Sequence, residues 1–295
     1  CRMMKTYKGI ICILLCTCMA FSLLHAQENS GDKGTACVPV KTTVEEELAF
    51  QAGEKVDFIL HYKWGSINTD VGTATVTLDS LTFNGQEAFR CSVFGKTKKF
   101  YDVFFKVRED FNSWFTRDGL KPLKFTRDTY EGGYEARNTY LYEWDAAEPY
   151  IAADVYTSNL GQKSMQLPLT PCTYDLPALF FFARNMDMDN VVPGKRYPMT
   201  FAIDEEVYNV YFILYGPETI KVKGLGTVET IRFAAKLLEG EVFKGEEDMT
   251  IWVTADDNRL PVYFEAPLRV GVAAGRMSGW EGLKHPFTSL VNTKR

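Results

Sequence analysis

From Lys55 onward, apolar and polar residues alternate. Val56, Phe58, Leu60 and Tyr62 share one parity, and Lys55, Asp57, Ile59, His61 and Lys63 share the other. This pattern predicts a half-buried β-strand with His61 on the solvent side. Residues 71–78 interleave Val and Thr, and 88–94 follow an Asn84-Gly85 turn, which is a hairpin signal. Strand-like segments continue at 103–107, 112–116, 123–129 and 134–144, with Glu131-Gly132-Gly133 as a further turn. Connections this short fit a meander. Between 146 and 193 the rhythm breaks at Pro149, Pro168, Pro171 and Pro177. Within that stretch, 175–186 predicts a helix. Asp175 can cap it, Pro177 is tolerated in its first turn, and Ala178, Leu179, Phe182, Ala183 and Met186 form an apolar stripe at helical spacing. Strands resume at 198–203, 207–215, 219–223, 227–238, 249–254, 262–266 and 270–280. The pattern therefore predicts a mainly β protein, a curled antiparallel sheet or open β-barrel with one central helix packed on it.

One device occurs twice. The stretch DFNSWFTRD at 110–118, followed by Leu120, Pro122 and Phe125, is echoed by DMTIWVTAD at 248–256, followed by Leu260, Pro261 and Phe264. The Trp lies at a similar distance from Gly53 in one copy and from Gly194 in the other. We read 48–295 as a single β domain made of two pseudo-repeats, about 53–145 and 194–284, joined by the helix-containing segment. In each copy we expect a structural turn. Trp114 or Trp252 packs in the core, Asp118 or Asp256 bonds the amides ahead of it, and Pro122 or Pro261 starts the return strand, where a missing N–H does little harm.

Residues 1–26 read as a signal peptide, with Lys5 and Lys8 beside a mostly apolar run over 10–24 and cleavage expected after Ala26. Cys16 and Cys18 follow Leu15 and Thr17, poor substitutes for the small residue that lipoprotein processing needs. Residues 27–47 lack periodicity and read as a flexible tether. The expected location is therefore exported, periplasmic or outer-membrane-associated. The formal net charge is −5 and becomes more negative once the signal is removed. That balance argues against nucleic acid as a partner and against a polybasic grip on anionic membranes. Beyond the signal, Cys37, Cys91 and Cys172 allow one disulfide at most. With 46% hydrophobic residues the core needs no staple, so these cysteines are expected to be small buried hydrophobes.

Searches for chemistry find little. His61 and His285 lie in opposite parts of the chain, with no Cys-x-x-Cys, no His-x-x-x-His and no Gly-x-Ser-x-Gly, so neither a metal, a cofactor nor a catalytic triad is expected. Gly224-x-Gly226 lies between strands, with no helix to complete a phosphate cradle. The most suggestive surface is aromatic. Tyr134, Tyr140, Tyr142 and Trp144 share one parity of a long strand, and Phe182 and Arg184 stand on or beside the helix. These six are the ligand-binding candidates, with ordinary core filling as the alternative.

Taken in order, several motifs resemble a known family. They are Phe50-x-x-Gly53-Glu54-x-x-x-Phe58, the Gly72-Thr-Ala-Thr strand, Asp175-Leu-x-Ala-x-Phe-x-x-x-Arg184, the Gly226 strand and Ile251-Trp-Val-Thr-x-Asp256-x-x-x-Leu-Pro261-Val. Over about 48–283 the chain resembles exported bacterial proteins grouped as domain of unknown function 3108, and its signal is similar in style to those of the Bacteroides group. That family has no established activity, so the resemblance implies a fold and a compartment rather than a mechanism. The closing unit is also similar to periplasmic lipoprotein carriers, in which a curled sheet wraps a helix and holds acyl chains. The expected function is a non-catalytic cell-envelope protein binding a hydrophobic or amphipathic ligand such as a lipid, with an envelope protein as a further partner. The alternatives are a glycan-binding module or carbohydrate-active enzyme, and a structural envelope assembly protein.

Overall fold

The computed structural model describes residues 44–235, 249–268 and 270–291. The expected signal, most of the tether and Cys37 lie outside them. The strands are β1 (Lys55–Trp64), β2 (Ile67–Phe83), β3 (Gln86–Thr97), β4 (Val107–Thr116), β5 (Pro122–Glu131), β6 (Tyr134–Glu143), β7 (Tyr150–Thr157) and β8 (Gly161–Pro168). They continue as β9 (Thr173–Tyr174), β10 (Arg196–Ile203), β11 (Glu206–Val222), β12 (Gly226–Ala235), β13 (Met249–Thr254), β14 (Pro261–Pro267) and β15 (Val272–Glu281). The helices among the described residues are α1 (Lys99–Asp102) and α2 (Leu176–Arg184).

All strands form one open 15-stranded sheet in the order β8-β7-β6-β5-β4-β3-β2-β1-β15-β14-β13-β12-β11-β10-β9. Strands β1–β6 and β10–β15 are each a six-stranded antiparallel meander, and they join edge to edge where β1 pairs with β15. In both meanders the Trp is on the fourth strand and the Pro opens the fifth. A β-bulge follows the Trp in each, at Trp114/Phe115 and at Trp252/Val253. Thr116 Oγ1 accepts from Lys121 N at 3.0 Å, and Thr254 Oγ1 accepts from Leu260 N at 2.9 Å.

The turns differ in one respect from expectation. The Asp256 carboxylate accepts from the amides of Asn258, Thr288 and Ser289, whereas Asp118 contributes its carbonyl, to Thr116 Oγ1. The two Trp side chains are half-buried, Trp252 at the margin of the main core and Trp114 outside it. Trp114 packs on Phe83 under Lys124, and Trp252 packs on Tyr263. Both side chains have the parity opposite to buried Phe115 and Val253, so the Trp belongs to the outer face of each strand.

The sheet curls so that its two ends meet through side chains. Phe201, Ala202 and Ile203 of β10 pack with Phe125, Tyr140 and Ile151 from β5, β6 and β7, and Lys163 of β8 pairs with Glu205 at 2.5 Å. A second, larger core surrounds α2. Asp175 caps α2 by accepting from Ala178 N at 2.9 Å, and Asn185 ends it by donating to Phe181 O at 2.9 Å. The helix therefore stops at Arg184 rather than Met186.

Further differences have local causes. Residues 103–107 were expected as a strand, but a turn after α1 takes up 103–104 and only Val107 joins β4, with Asp102 of α1 tied to Arg108 of β4 at 2.6 Å. The strand expected at 219–223 is the end of β11, which runs on to Val222 and absorbs a bulge at Gly216 (φ 117) instead of breaking. The proline-broken segment contributes β7, β8 and β9, with Pro149 just before a strand and Pro168 ending the edge strand, where a missing N–H is harmless. Residues 45–47, assigned to the tether, form a 3-10 turn fastened by Arg117 to Glu45 at 2.6 Å. Cys91 is a buried free thiol as expected, but Cys172 is disulfide-bonded, so it is a staple rather than a small hydrophobe.

Candidate functional site

Of the aromatic residues singled out above, Tyr140, Tyr142 and Phe182 are buried and Trp144 is half-buried. Tyr140 is fully buried and donates to Asp204 O at 2.6 Å, and Tyr142 donates to Asp175 Oδ2 at 3.2 Å. Trp144 stacks on Tyr142 and donates to Pro122 O at 2.6 Å, while Phe182 packs on Tyr174. Tyr134 is half-buried at the start of β6. Arg184 is enclosed, forming a two-armed ion pair with Glu54 and donating to Asn258 O at 2.9 Å and Ala49 O at 3.2 Å. Fold contacts thus bring Tyr142, Trp144 and Asp175 together, and none of the six lines the cleft described next.

Two acids do meet on β4 and β5. Glu109 is fully buried, its protonation raised well above the usual range by burial and by the neighbouring Glu131. Thr129, Arg127, Asn138 and Asp204 extend this polar layer, with Arg127 on Asp204 at 2.7 Å and Asn138 on Asp204 at 2.9 Å. The Asp204 turn between β10 and β11 (φ 49) closes over it. A glycosidase pair needs a solvent-open groove, and Glu109 and Glu131 are both buried.

An open cleft of 780 Å³ lies elsewhere, on strands β1, β2, β13, β14 and β15. Its floor is two adjacent cross-strand rows, one running Trp252, Tyr263, Arg276 and Ile59 and the other Glu265, Ala274, His61 and Asp70. Lys63 stands one step further along β1, and Ile220, Lys221 and Lys223 of β11 and Lys98 before α1 complete the lining. Period-two alternation is what places Lys63, His61, Tyr263, Glu265 and Arg276 opposite the core-facing Phe58, Leu60 and Val262.

Arg276 grips Asp70 with two parallel bonds of 2.7 Å, which hold Asp70 below the usual carboxylate range. Lys63 donates to Glu265 at 2.5 Å and to Tyr263 at 2.6 Å. Burial, followed by the Glu265 contact, pushes the Tyr263 phenol up to about 12. His61 is only 5% exposed, and burial together with Lys63 and Arg276 lowers it to about 4, so its imidazole is neutral near pH 7. Two polar atoms here have no partner, His61 Nδ1 and Trp252 Nε1. The lining holds five cations, Lys63, Lys98, Lys221, Lys223 and Arg276, against two acids, Asp70 and Glu265.

His61 is thus on the predicted face but is buried rather than solvent-facing, because Tyr263 stacks over it at 5.9 Å. Trp252, assigned to a structural turn, is also a cleft residue. Sequence reasoning missed Lys63, Asp70, Tyr263, Glu265 and Arg276. Their signal, outward parity on neighbouring strands, becomes informative only once strand order is known. No group of three or more His, Cys, Asp or Glu among the described residues could hold a metal ion.

The chain belongs to the family described as protein of unknown function DUF3108, whose model matches residues 57–278. No curated protein matches it. Among solved structures it is similar to a β-barrel-like protein of domain of unknown function DUF1849 from Brucella abortus. The identity is 10%, the match covers 85% of this chain and 100% of that one, and the TM-score is 0.50. A candidate lipoprotein from Parabacteroides distasonis overlaps at 10% identity over 80% of this chain and 99% of that one, with a TM-score of 0.27. The first likeness is one of fold alone, a barrel-like curl that in this chain stays open between β8 and β9. No helix among the described residues is long and apolar enough to cross a membrane.

Proposed function

We propose that this protein is a non-catalytic binding protein of the bacterial cell envelope, which holds an amphipathic ligand by its acidic head in the cleft of His61, Arg276 and Trp252. The observation behind this reading is the excess of cations lining an open cleft on a chain of net charge −5. Two unpartnered polar atoms sharpen it. Trp252 Nε1 can only donate, and an unmet donor costs stability until an acceptor reaches it. A carboxylate or phosphate supplies that acceptor and also the charge that Lys221 and Lys223 favour, while the Trp252 and Tyr263 rings offer an apolar surface to the rest of the ligand. Binding is favoured over catalysis because an efficient general base titrates near the working pH. In the cleft His61 lies at about 4 and Tyr263 at about 12. Export is supported by the N-terminal signal pattern and by the disulfide at Cys172, since such bonds persist in oxidising compartments.

The test is native mass spectrometry of protein purified from its own envelope, comparing wild type with a Lys221→Glu/Lys223→Glu variant. We expect an anionic species on the wild type that is lost from the variant. A wild-type spectrum of bare protein, or a ligand equally retained by both, overturns the proposal.

A further inference from the structure

Between β3 and β4 the chain forms an ordered finger that turns its apolar side chains outward. Phe100, Val103 and Phe104 are 70%, 83% and 76% exposed. The finger is well held. Phe105 and Val107 are buried, Phe105 occupies the space above Gly132 where a Cβ would collide with its ring, and Tyr101 OH meets Thr69 Oγ1 at 2.6 Å. Its backbone closes on itself through Phe104 N and Phe105 N to Tyr101 O at 2.9 and 2.8 Å. The Phe100 ring packs edge-on against Tyr101 at 5.2 Å and tilts onto Phe104 at 5.8 Å, so the apolar side chains form one cluster. Monomeric proteins seldom hold so contiguous an apolar patch in water without a use for it.

The charges around the finger are one-sided. Lys96, Lys98, Lys99 and Lys106 flank the cluster in sequence and all are exposed, with Lys96 over the Phe94 ring, Lys106 over the Tyr130 ring and Lys98 4.0 Å from Asp70. The single acid among residues 96–106, Asp102, is turned back onto Arg108 at 2.6 Å. The register Gly72↔Thr97 puts the β1–β2 turn at the same end of the sheet, where Trp64 and Ile67 are 45% and 44% exposed. Net negative charge over the whole chain conceals this local reversal.

We propose that this finger docks the protein on an anionic lipid bilayer, with Phe100, Val103 and Phe104 entering the acyl boundary and Lys99 and Lys106 resting among the headgroups. Apolar rings ringed by lysines are the chemistry of interfacial membrane contact, where buried area and attraction to anionic lipid act together. A protein partner would equally cover the apolar cluster, but only an anionic surface also meets lysines on both sides of it. Because the finger is already ordered, little conformational entropy is lost on docking. Lys99 and Lys106 do not line the cleft, so docking stands or fails independently of the ligand proposed above.

The experiment uses the full chain carrying Phe104→Trp, mixed with vesicles of phosphatidylglycerol and phosphatidylethanolamine that are brominated on their acyl chains. We expect quenching of the introduced indole beyond that of wild-type fluorescence, weakened by salt. Adding Lys99→Glu and Lys106→Glu should raise the lipid concentration needed for half-quenching by at least about tenfold. An indole that is not quenched overturns the proposal, as does quenching unchanged by the two charge reversals. Shielding of the indole from an aqueous quencher by an envelope protein, with vesicles having no effect, also overturns it and assigns the finger to a protein partner.

Discussion

The ion pair between Arg184 and Glu54 links three segments far apart in sequence, and it can be tested quantitatively. Arg184 ends α2, Glu54 precedes β1, and the same guanidinium donates to Asn258 O in the β13–β14 turn. Both side chains are 1% exposed. Glu54→Gln keeps the shape but leaves an uncompensated buried cation, a change that costs about 3–5 kcal/mol. Glu54→Leu combined with Arg184→Met removes both charges. It leaves two carbonyls, Ala49 O and Asn258 O, without this donor, at about 1–3 kcal/mol each. The double variant should therefore lose less than the sum of its single variants, with a coupling of at least about 2 kcal/mol. Urea unfolding followed by far-ultraviolet circular dichroism reads this directly. With a slope of roughly 3 kcal/mol/M for a domain this large, Glu54→Gln should lower the midpoint by about 1–1.7 M. A Glu54→Gln midpoint within experimental error of wild type, or strict additivity in the cycle, refutes a structural role and returns Arg184 to the ligand candidates.

Two pH effects of opposite sign are expected. His61 is lowered to about 4 from 6.5, so the unfolded chain binds its proton first, and wild-type stability relative to His61→Gln should fall as pH drops from 6.5 to 4. Asp175 is raised by burial to about 7 from 3.8, so its stability relative to Asp175→Asn should rise as pH drops from 7 to 3.8, by up to about 4 kcal/mol. Urea midpoints at a series of pH values check both, and a flat difference in either pair refutes the corresponding assignment. Gly72→Ala would put a Cβ 2.7 Å from Lys96 O in the neighbouring strand. Thermal unfolding should report a loss of about 1–3 kcal/mol, and an unchanged melting temperature would show that β2 and β3 separate easily.

Alternation made the strands legible because one face of each is packed and the other wet, and Val56, Phe58 and Leu60 are buried as their parity requires. The same rule failed at residues 103–107. There Val103, Phe104, Phe105 and Val107 look like strand residues, but only Phe105 and Val107 are buried. A loop that turns apolar groups toward water has the composition of a strand, and composition cannot separate the two. The prolines misled in the opposite direction, since Pro149 precedes β7 and Pro168 ends β8, the edge strand of the sheet.

The cleft was illegible for a different reason. Its floor combines Trp252, Tyr263, Arg276, His61 and Asp70, which become neighbours only because β1 pairs with β15 across more than two hundred residues. Outward polar positions read one strand at a time look like ordinary solvated surface. The aromatic stripe of β6 was conspicuous because it is contiguous in sequence, yet the curl of the sheet brings β10 against it and encloses Tyr140 under Asp204. Local density of aromatic residues therefore marked where the two ends of this open sheet pack together through side chains, while the charged cleft arises from its longest-range strand pairing. In a sheet built by joining two meanders, the seam between them is where outward residues from both ends of the chain first meet, and variants at Arg276 and His61 should alter ligand retention more than variants at Tyr140 or Trp144.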